Sequence, residues 1–230
     1  MFGIGGGFVN LILNQYSTDL IGFWIQDETS GATAEDSSAE GNDGAYTGVT
    51  LADATYLGRP VPRYDGVNDV LDVDSAGLDA DFDGREGALI VPARVFNSGV
   101  WTDGNNRTLA QFRVDAQNRL YITSPADDKS ILYRYEANGT SESYTHTTED
   151  TDWARYGMTW SHSADEVAYY ANGSRLFADT GLGAWAAGAL VVATIGAFSA
   201  APAGVWNGWI GPVPLWATAL SRSVMERLTA

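Results

Sequence analysis

Phe23-Trp24-Ile25-Gln26-Asp27-Glu28-Thr29-Ser30-Gly31-Ala32-Thr33-Ala34-Glu35-Asp36-Ser37-Ser38-Ala39-Glu40-Gly41-Asn42-Asp43-Gly44 decides how the rest of the chain is read. The apolar run at 20–25 stops at acid, and the chain then turns rich in Asp, Asn, Ser and Gly. That is the composition of a strand followed by tight turns. Asp, Asn and Ser side chains bond their own backbone, and Gly supplies positive φ. The same alternation of strand and turn continues outward. Residues 62–73, 88–96, 108–114, 119–124, 131–136, 153–161, 166–171, 174–179, 190–197 and 206–216 read as short strands bounded by turn residues. The stretches 29–48 and 76–87 read as acidic loops, the second with one helical turn at 78–82. Residues 221–228 read as a short helix with Ser221 as its N-cap. Sustained 3.6-residue periodicity is otherwise nearly absent, and there is no internal repeat. The pattern predicts an all-β sandwich or jelly roll with an N-terminal extended arm and a short C-terminal helix.

Size and charge narrow the function. At 230 residues, one large sandwich is the simplest count, and it buries a full core without staples. Cysteine is absent, which excludes disulfides, thiolate metal sites and cysteine nucleophiles. With 13 basic and 29 acidic residues the net charge is −16, and Lys129 is the single lysine. Nucleic-acid binding needs a basic face, so it is excluded as a partner class. No run reaches the roughly 18–20 apolar residues of a membrane span. Residues 1–17 are Gly-rich and then apolar, lack a basic n-region and a cleavage site, and read as an arm preceding a domain at 18–230 rather than as a secretory signal. No acid occurs between Asp179 and Glu226, a stretch that carries Trp185, Trp206, Trp209 and Trp216. It reads as core strands, with a partner-facing apolar surface as the alternative.

Four segments, in order, resemble laminin-G-like (concanavalin A-like) jelly-roll domains. The opening stretch is similar to their W-x-x-D-E-T-S-G … D-S-S-G-N-G-N-D-G. Tyr64-Asp65-Gly66-Val67-Asn68-Asp69-Val70-Leu71-Asp72-Val73 is similar to F-D-G-V-N-D-Y-V-D-V. Arg155-Tyr156-Gly157-Met158-Thr159-Trp160-Ser161 with Val167-Ala168-Tyr169-Tyr170-Ala171-Asn172-Gly173 looks like their V-T-W-D … L-Y-V-N-G hairpin. Residues 206–221 look like the closing F-x-G-x-I-D-E-V-R-I-Y-N-R-A-L-S. The resemblance covers residues 20–229. It implies an all-β, two-sheet antiparallel jelly-roll sandwich with adjacent first and last strands, which puts 20–25 beside 206–216. It does not imply one function, because the fold hosts lectins, enzymes and adhesion modules.

Candidate chemistry follows. Laminarinase-type glucanases of this fold carry Glu-x-Asp-x-x-Glu or Glu-x-Asp-x-Glu, whose two glutamates act as nucleophile and acid/base. That motif is absent, and Glu149-Asp150-Thr151-Asp152 lacks the second glutamate. His146 and His162 have no metal-type spacing. Asp27, Asp36, Asn42 and Asp43 are hard oxygen donors on one loop system, the ligand type of calcium, as relatives often hold there. Against this, the relatives' closing-strand aspartate is Gly211 here, and Asx-turns explain the same residues. Carbohydrate binding calls for exposed aromatic rings beside polar groups. Trp101 and Asn105 in a Gly/Asn/Asp loop, Trp185 beside Gly183, and Tyr133 and Tyr135 on the sheet are the candidates. Trp24, Trp160, Trp209 and Trp216 read as core.

The expected function is that of a non-catalytic virion or surface-assembly protein, of the decoration, spike or tail kind, displaying a lectin-like jelly roll. Phe2, Ile4, Phe8, Leu11, Ile12 and Leu13 of the arm would anchor it to other subunits in an oligomeric assembly, at the virion surface or outside the cell. Cell-surface glycans are the further partner. No cofactor is required, and Ca2+ is an open alternative. The competing readings are a free carbohydrate-binding module and, behind it, a glycoside hydrolase.

Overall fold

The computed structural model of the chain describes residues 7–126 and 128–230. In chain order its elements are α1 (Gly7–Gln15), β1 (Leu20–Trp24), β2 (Thr33–Ala34), β3 (Gly44–Thr47), β4 (Thr50–Tyr56), β5 (Arg59–Asp65), β6 (Val70–Asp72), α2 (Ala76–Asp81), β7 (Glu86–Val95), β8 (Arg107–Arg113), β9 (Arg119–Ser124) and β10 (Ser130–Ala137). Then come β11 (Thr140–Thr147), β12 (Ala154–Ser161), β13 (Glu166–Ala171), β14 (Ser174–Asp179), β15 (Val192–Ile195), β16 (Asn207–Ile210), β17 (Val213–Trp216) and α3 (Arg222–Thr229). The strands form two antiparallel sheets. One runs β14-β13-β12-β7-β16-β5-β4, with β17 on β7 and β1 on β17. The other runs β11-β10-β9-β8-β15-β6-β3-β2. The jelly-roll sandwich and the neighbouring of first and last strands are as the sequence predicts. Ser221 stands at the N-cap of α3, but its side chain makes no capping bond.

Alternation along the strands fills the core. Leu89, Val91 and Ala93 of β7 and Met158 and Trp160 of β12 face Leu120, Ile122, Ile131 and Tyr133 of the second sheet. The opposite parity of the first sheet builds a second apolar layer. Ala88, Ile90, Ala168, Tyr170 and Trp216 pack beneath Phe8, Val9 and Ile12 of α1 and Met225 and Leu228 of α3. The chain therefore has three layers, with α1 and α3 on the back of the first sheet.

This corrects the extended arm. Residues 7–15 are a helix, because Phe8, Leu11 and Ile12 fall three and four residues apart on one face. A helix of nine residues is marginal alone, so packing holds it. Phe8 and Ile12 are buried, with Ile12 fully enclosed. Arg155 lies over the Phe8 ring at 4.7 Å, and the Trp216 indole donates to the Tyr16 carbonyl at 2.7 Å. As anchors for another subunit, Phe8 and Ile12 are already occupied within their own chain. Leu11 is half-buried and Leu13 exposed, while Phe2 and Ile4 lie outside the described residues.

Candidate glycan-binding face

The helices leave the second sheet's outer face uncovered. On β10 the core parity belongs to Ile131, Tyr133, Tyr135 and Ala137, so Leu132, Arg134 and Glu136 face outward. On β9 Leu120 and Ile122 face in, and Arg119, Tyr121 and Thr123 face out. On β8 Ala110 and Phe112 pair with Ile122 and Leu120, which turns Gln111 and Arg113 outward opposite Tyr121 and Arg119. A register shift between Thr108 and Ala110 brings Thr108 opposite Thr123 on the same face. Register extends the rows to Thr194 of β15 and Asp72 of β6.

Tyr121 is the one aromatic side chain in these rows, and a cleft of about 330 Å³ opens beside it. Phe198 forms its wall, edge-on to Tyr121 with ring centroids 6.0 Å apart. Asn106, Thr108 and Thr123 add an amide and two hydroxyls to the lining, and Leu132 and Pro125 add apolar surface. The loop carrying Phe198 is pinned by backbone bonds. Phe198 N–H donates to the Ala203 carbonyl at 2.8 Å, Thr108 N–H to Gly204 at 2.7 Å and Gly196 N–H to Leu109 at 2.9 Å. Gly196 has φ +82°, and a Cβ there would lie 2.2 Å from the Tyr64 ring, so only glycine fits.

A positive patch adjoins the cleft. Arg119 and Arg134 both donate through Nε to Glu136 Oε2, at 2.8 and 3.1 Å. Arg113 is directly across from Arg119.

The aromatic candidates from sequence fall elsewhere. Trp101 is 2 % exposed, its indole donating to the Asp150 carbonyl at 3.1 Å. The turn at Ser98–Thr102 is a short 3-10 helix, capped by Asn97, that folds the indole inward. Tyr133 and Tyr135 are fully buried, their hydroxyls donating to the Tyr170 and Gly84 carbonyls. Trp185 is buried against Phe82 and Tyr135. Gly84, at φ +72°, leaves room for it, since a Cβ there would meet the indole at 2.3 Å. None of these four rings is available to a sugar. Asn105 is exposed, but its amide donates to the Asp103 carbonyl, and its neighbour Asn106 lines the cleft instead. Sequence reasoning missed Tyr121, Phe198 and the arginines. The alternation of Arg119-Tyr121-Thr123 against Leu120-Ile122 was the available signal. Trp209 also departs from its expectation as core: it is half-buried, and its indole donates to Asp53 at 2.8 Å.

The four proposed calcium ligands have structural work instead. Asp36 Oδ1 accepts from the Phe23 and Ser38 N–H groups at 2.7 and 2.8 Å. Its Oδ2 accepts from the Ser38 hydroxyl at 2.6 Å and the Asn42 N–H at 2.7 Å. Asp43 accepts from Asp36 N–H at 2.8 Å. Asn42 is buried and donates to the Ile21 carbonyl, and Asp27 pairs with Arg59 at 2.5 Å. Asp36 and Asp43 shape turns by accepting backbone N–H groups. Among the described residues no group of three or more His, Asp or Glu is placed to hold a metal ion.

No family model matches the chain, and no curated protein matches it by sequence. Solved structures do. Domain 4 of an extracellular arabinanase from Geobacillus stearothermophilus, in complex with arabinotriose, superposes with TM-score 0.67 at 14% identity, covering 92% of this chain and 98% of that one. The CBM40 of the Ruminococcus gnavus IT-sialidase bound to α2,3-sialyllactose gives 0.59 at 8%, covering 73% and 97%. The shared fold is a two-sheet antiparallel jelly-roll sandwich. The leech intramolecular trans-sialidase also matches, with TM-score 0.57 at 12% identity over 73% of this chain, which spans only 27% of that enzyme. At such identities the fold is what is shared.

Proposed function

We propose that the protein is a non-catalytic carbohydrate-binding module acting outside the cell, with its glycan on the outward face of β8, β9 and β10. The observation that carries this is the Tyr121–Phe198 cleft. It sets aromatic surface beside the hydroxyls of Thr108 and Thr123 and the amide of Asn106 on the face the helices leave uncovered. Sugars offer that same pairing, C–H faces for a ring and hydroxyls for polar groups, and ligand sites are largely apolar with a few placed polar groups. Support also comes from two matched folds that were captured with an oligosaccharide bound, and from the four laminin-G-like segments. Among the described residues the lining contains no Asp, Glu or His, so they supply no carboxylate pair for glycoside hydrolysis there. A particle component docked through residues 1–17 is less well supported, because α1 is packed onto the chain's own sheet.

A glycan array tests the proposal. The wild-type chain binds at least one glycan, and Tyr121→Ala and Phe198→Ala lose that binding while staying folded at the assay temperature. A silent array, or variants that bind unchanged, overturns it.

A further inference from the structure

We infer that Arg113, Arg119 and Arg134, with Gln111 beside them, form a subsite for the carboxylate of an acidic glycan, an inference that rests on the glycan-binding reading above. Three guanidiniums stand on the adjacent strands β8, β9 and β10, and Arg119 and Arg134 share one carboxylate, Glu136, in a chain whose net charge is −16. A local excess of positive charge in so acidic a molecule concentrates anions at that place. The cross-strand pair Arg113–Arg119 sets like charges directly opposite one another, an arrangement that destabilises a sheet unless an anion joins them.

The hydrogen-bond inventory points the same way. Arg113 has no ion pair or hydrogen bond from its side chain to any described residue, and its Nε is buried. Gln111, two residues along the same face, is fully buried with both Nε2 and Oε1 unpartnered. Buried polar atoms are nearly always satisfied, and one left unmade is costly. Arg119 and Arg134 use only Nε on Glu136, so no described residue takes their terminal nitrogens. Guanidinium forks of this kind match a planar carboxylate through paired N–H bonds. Tyr121 connects the two parts of the site. In register it lies between Gln111 and Arg134, and it also lines the cleft. A sugar ring in the cleft therefore places a carboxylate substituent toward the arginines.

The test is calorimetric titration of the full chain with matched pairs: α2,3-sialyllactose against lactose, and trigalacturonic acid against its methyl ester. At least one acidic ligand binds tenfold or more tighter than its neutral partner, and the two acids separate a sialic from a uronic source. Arg113→Ala weakens that acid by about 10–100-fold, the scale of a charge-assisted hydrogen bond. Arg113→Lys recovers part of the loss, because it keeps charge without the fork. Binding weakens as salt screens the pair. Equal affinity for acid and neutral partner, an unchanged Kd in Arg113→Ala, or a preference for a sulfated analogue overturns the carboxylate subsite while leaving glycan binding in place. Absence of any glycan binding overturns both.

Discussion

Trp101 and Trp206 meet edge to face, with ring centroids 6.3 Å apart and planes at 78°. Both are buried, so the loop tryptophan that reads in sequence as a ligand platform closes one end of the sandwich. Trp101→Ala is expected to cost about 3–5 kcal/mol of stability, the range for truncating a buried large aromatic. Denaturant unfolding measures it. A near-neutral change contradicts the packing described.

Tyr121→Ala should behave oppositely. The residue is on the outer face, 8 % exposed and outside the main apolar cluster, so truncation costs less stability than at Trp101, about 1–3 kcal/mol, while glycan affinity falls. Parallel melting and titration curves for Tyr121→Ala and Trp101→Phe separate the two roles.

Ile12→Ala should destabilise by about 2–5 kcal/mol, as for other enclosed aliphatic side chains. Deleting residues 7–15 uncovers Ile90, Tyr170 and Trp216 and should raise binding of a hydrophobic dye. A truncated chain that melts like the intact one and binds no dye shows that α1 is a dispensable arm after all.

Chelator should leave the melting temperature unchanged, because Asp36 and Asp43 are already satisfied by backbone and side-chain donors. Asp36→Ala, by contrast, removes the acceptor for four hydrogen bonds and should cost about 2–4 kcal/mol. A chelator-induced loss of stability that calcium restores assigns a metal to the loop.

Glu142 on β11 gives a pH signature. Burial first, then a hydrogen bond with Asp179 and the charges of Asp179 and Asp165, raise its carboxyl above the ordinary 4.5. The folded state then holds a proton that the unfolded chain has released. Its contribution is complete below the unfolded pKa and is lost as pH rises through the raised folded value. Glu142→Gln should flatten that part of the decline in urea midpoint as pH rises above the ordinary 4.5. An identical pH profile in the variant removes Glu142 as its source.

Much of this architecture is legible from residue order. The apolar alternation of 88–96, 119–124 and 153–161 gives strands wherever one face is buried, and the opening turn chemistry is what Asp36 and Asp43 realise. β11 escapes because Thr140-Ser141-Glu142-Ser143-Tyr144-Thr145-His146-Thr147 has hardly any apolar phase, as suits an edge strand. α1 escapes because glycines before it mimic an arm, although Phe8, Leu11 and Ile12 carry the helical spacing. The cleft is harder. Phe198 reaches Tyr121 only because strands far apart in sequence fix its loop, and no local pattern encodes that approach. Tyr133 and Tyr135 show the converse: their phase with Ile131 and Ala137 already marks them as core.

The pairing of β1 with β17 also sets an order of events in synthesis. The Trp216 indole and the Tyr16 carbonyl it reaches are 200 residues apart. At ribosomal speeds of about 5–20 residues per second, the second arrives roughly 10–40 s after the first. Through that interval the first strand, entirely apolar apart from Gly22, lacks its ladder partner β17, and the helix before it lacks the part of its packing surface that Trp216, Met225 and Leu228 supply. Closure by the C-terminal segment therefore comes last during synthesis, and nascent chains stalled before residue 213 should be the ones that chaperones hold.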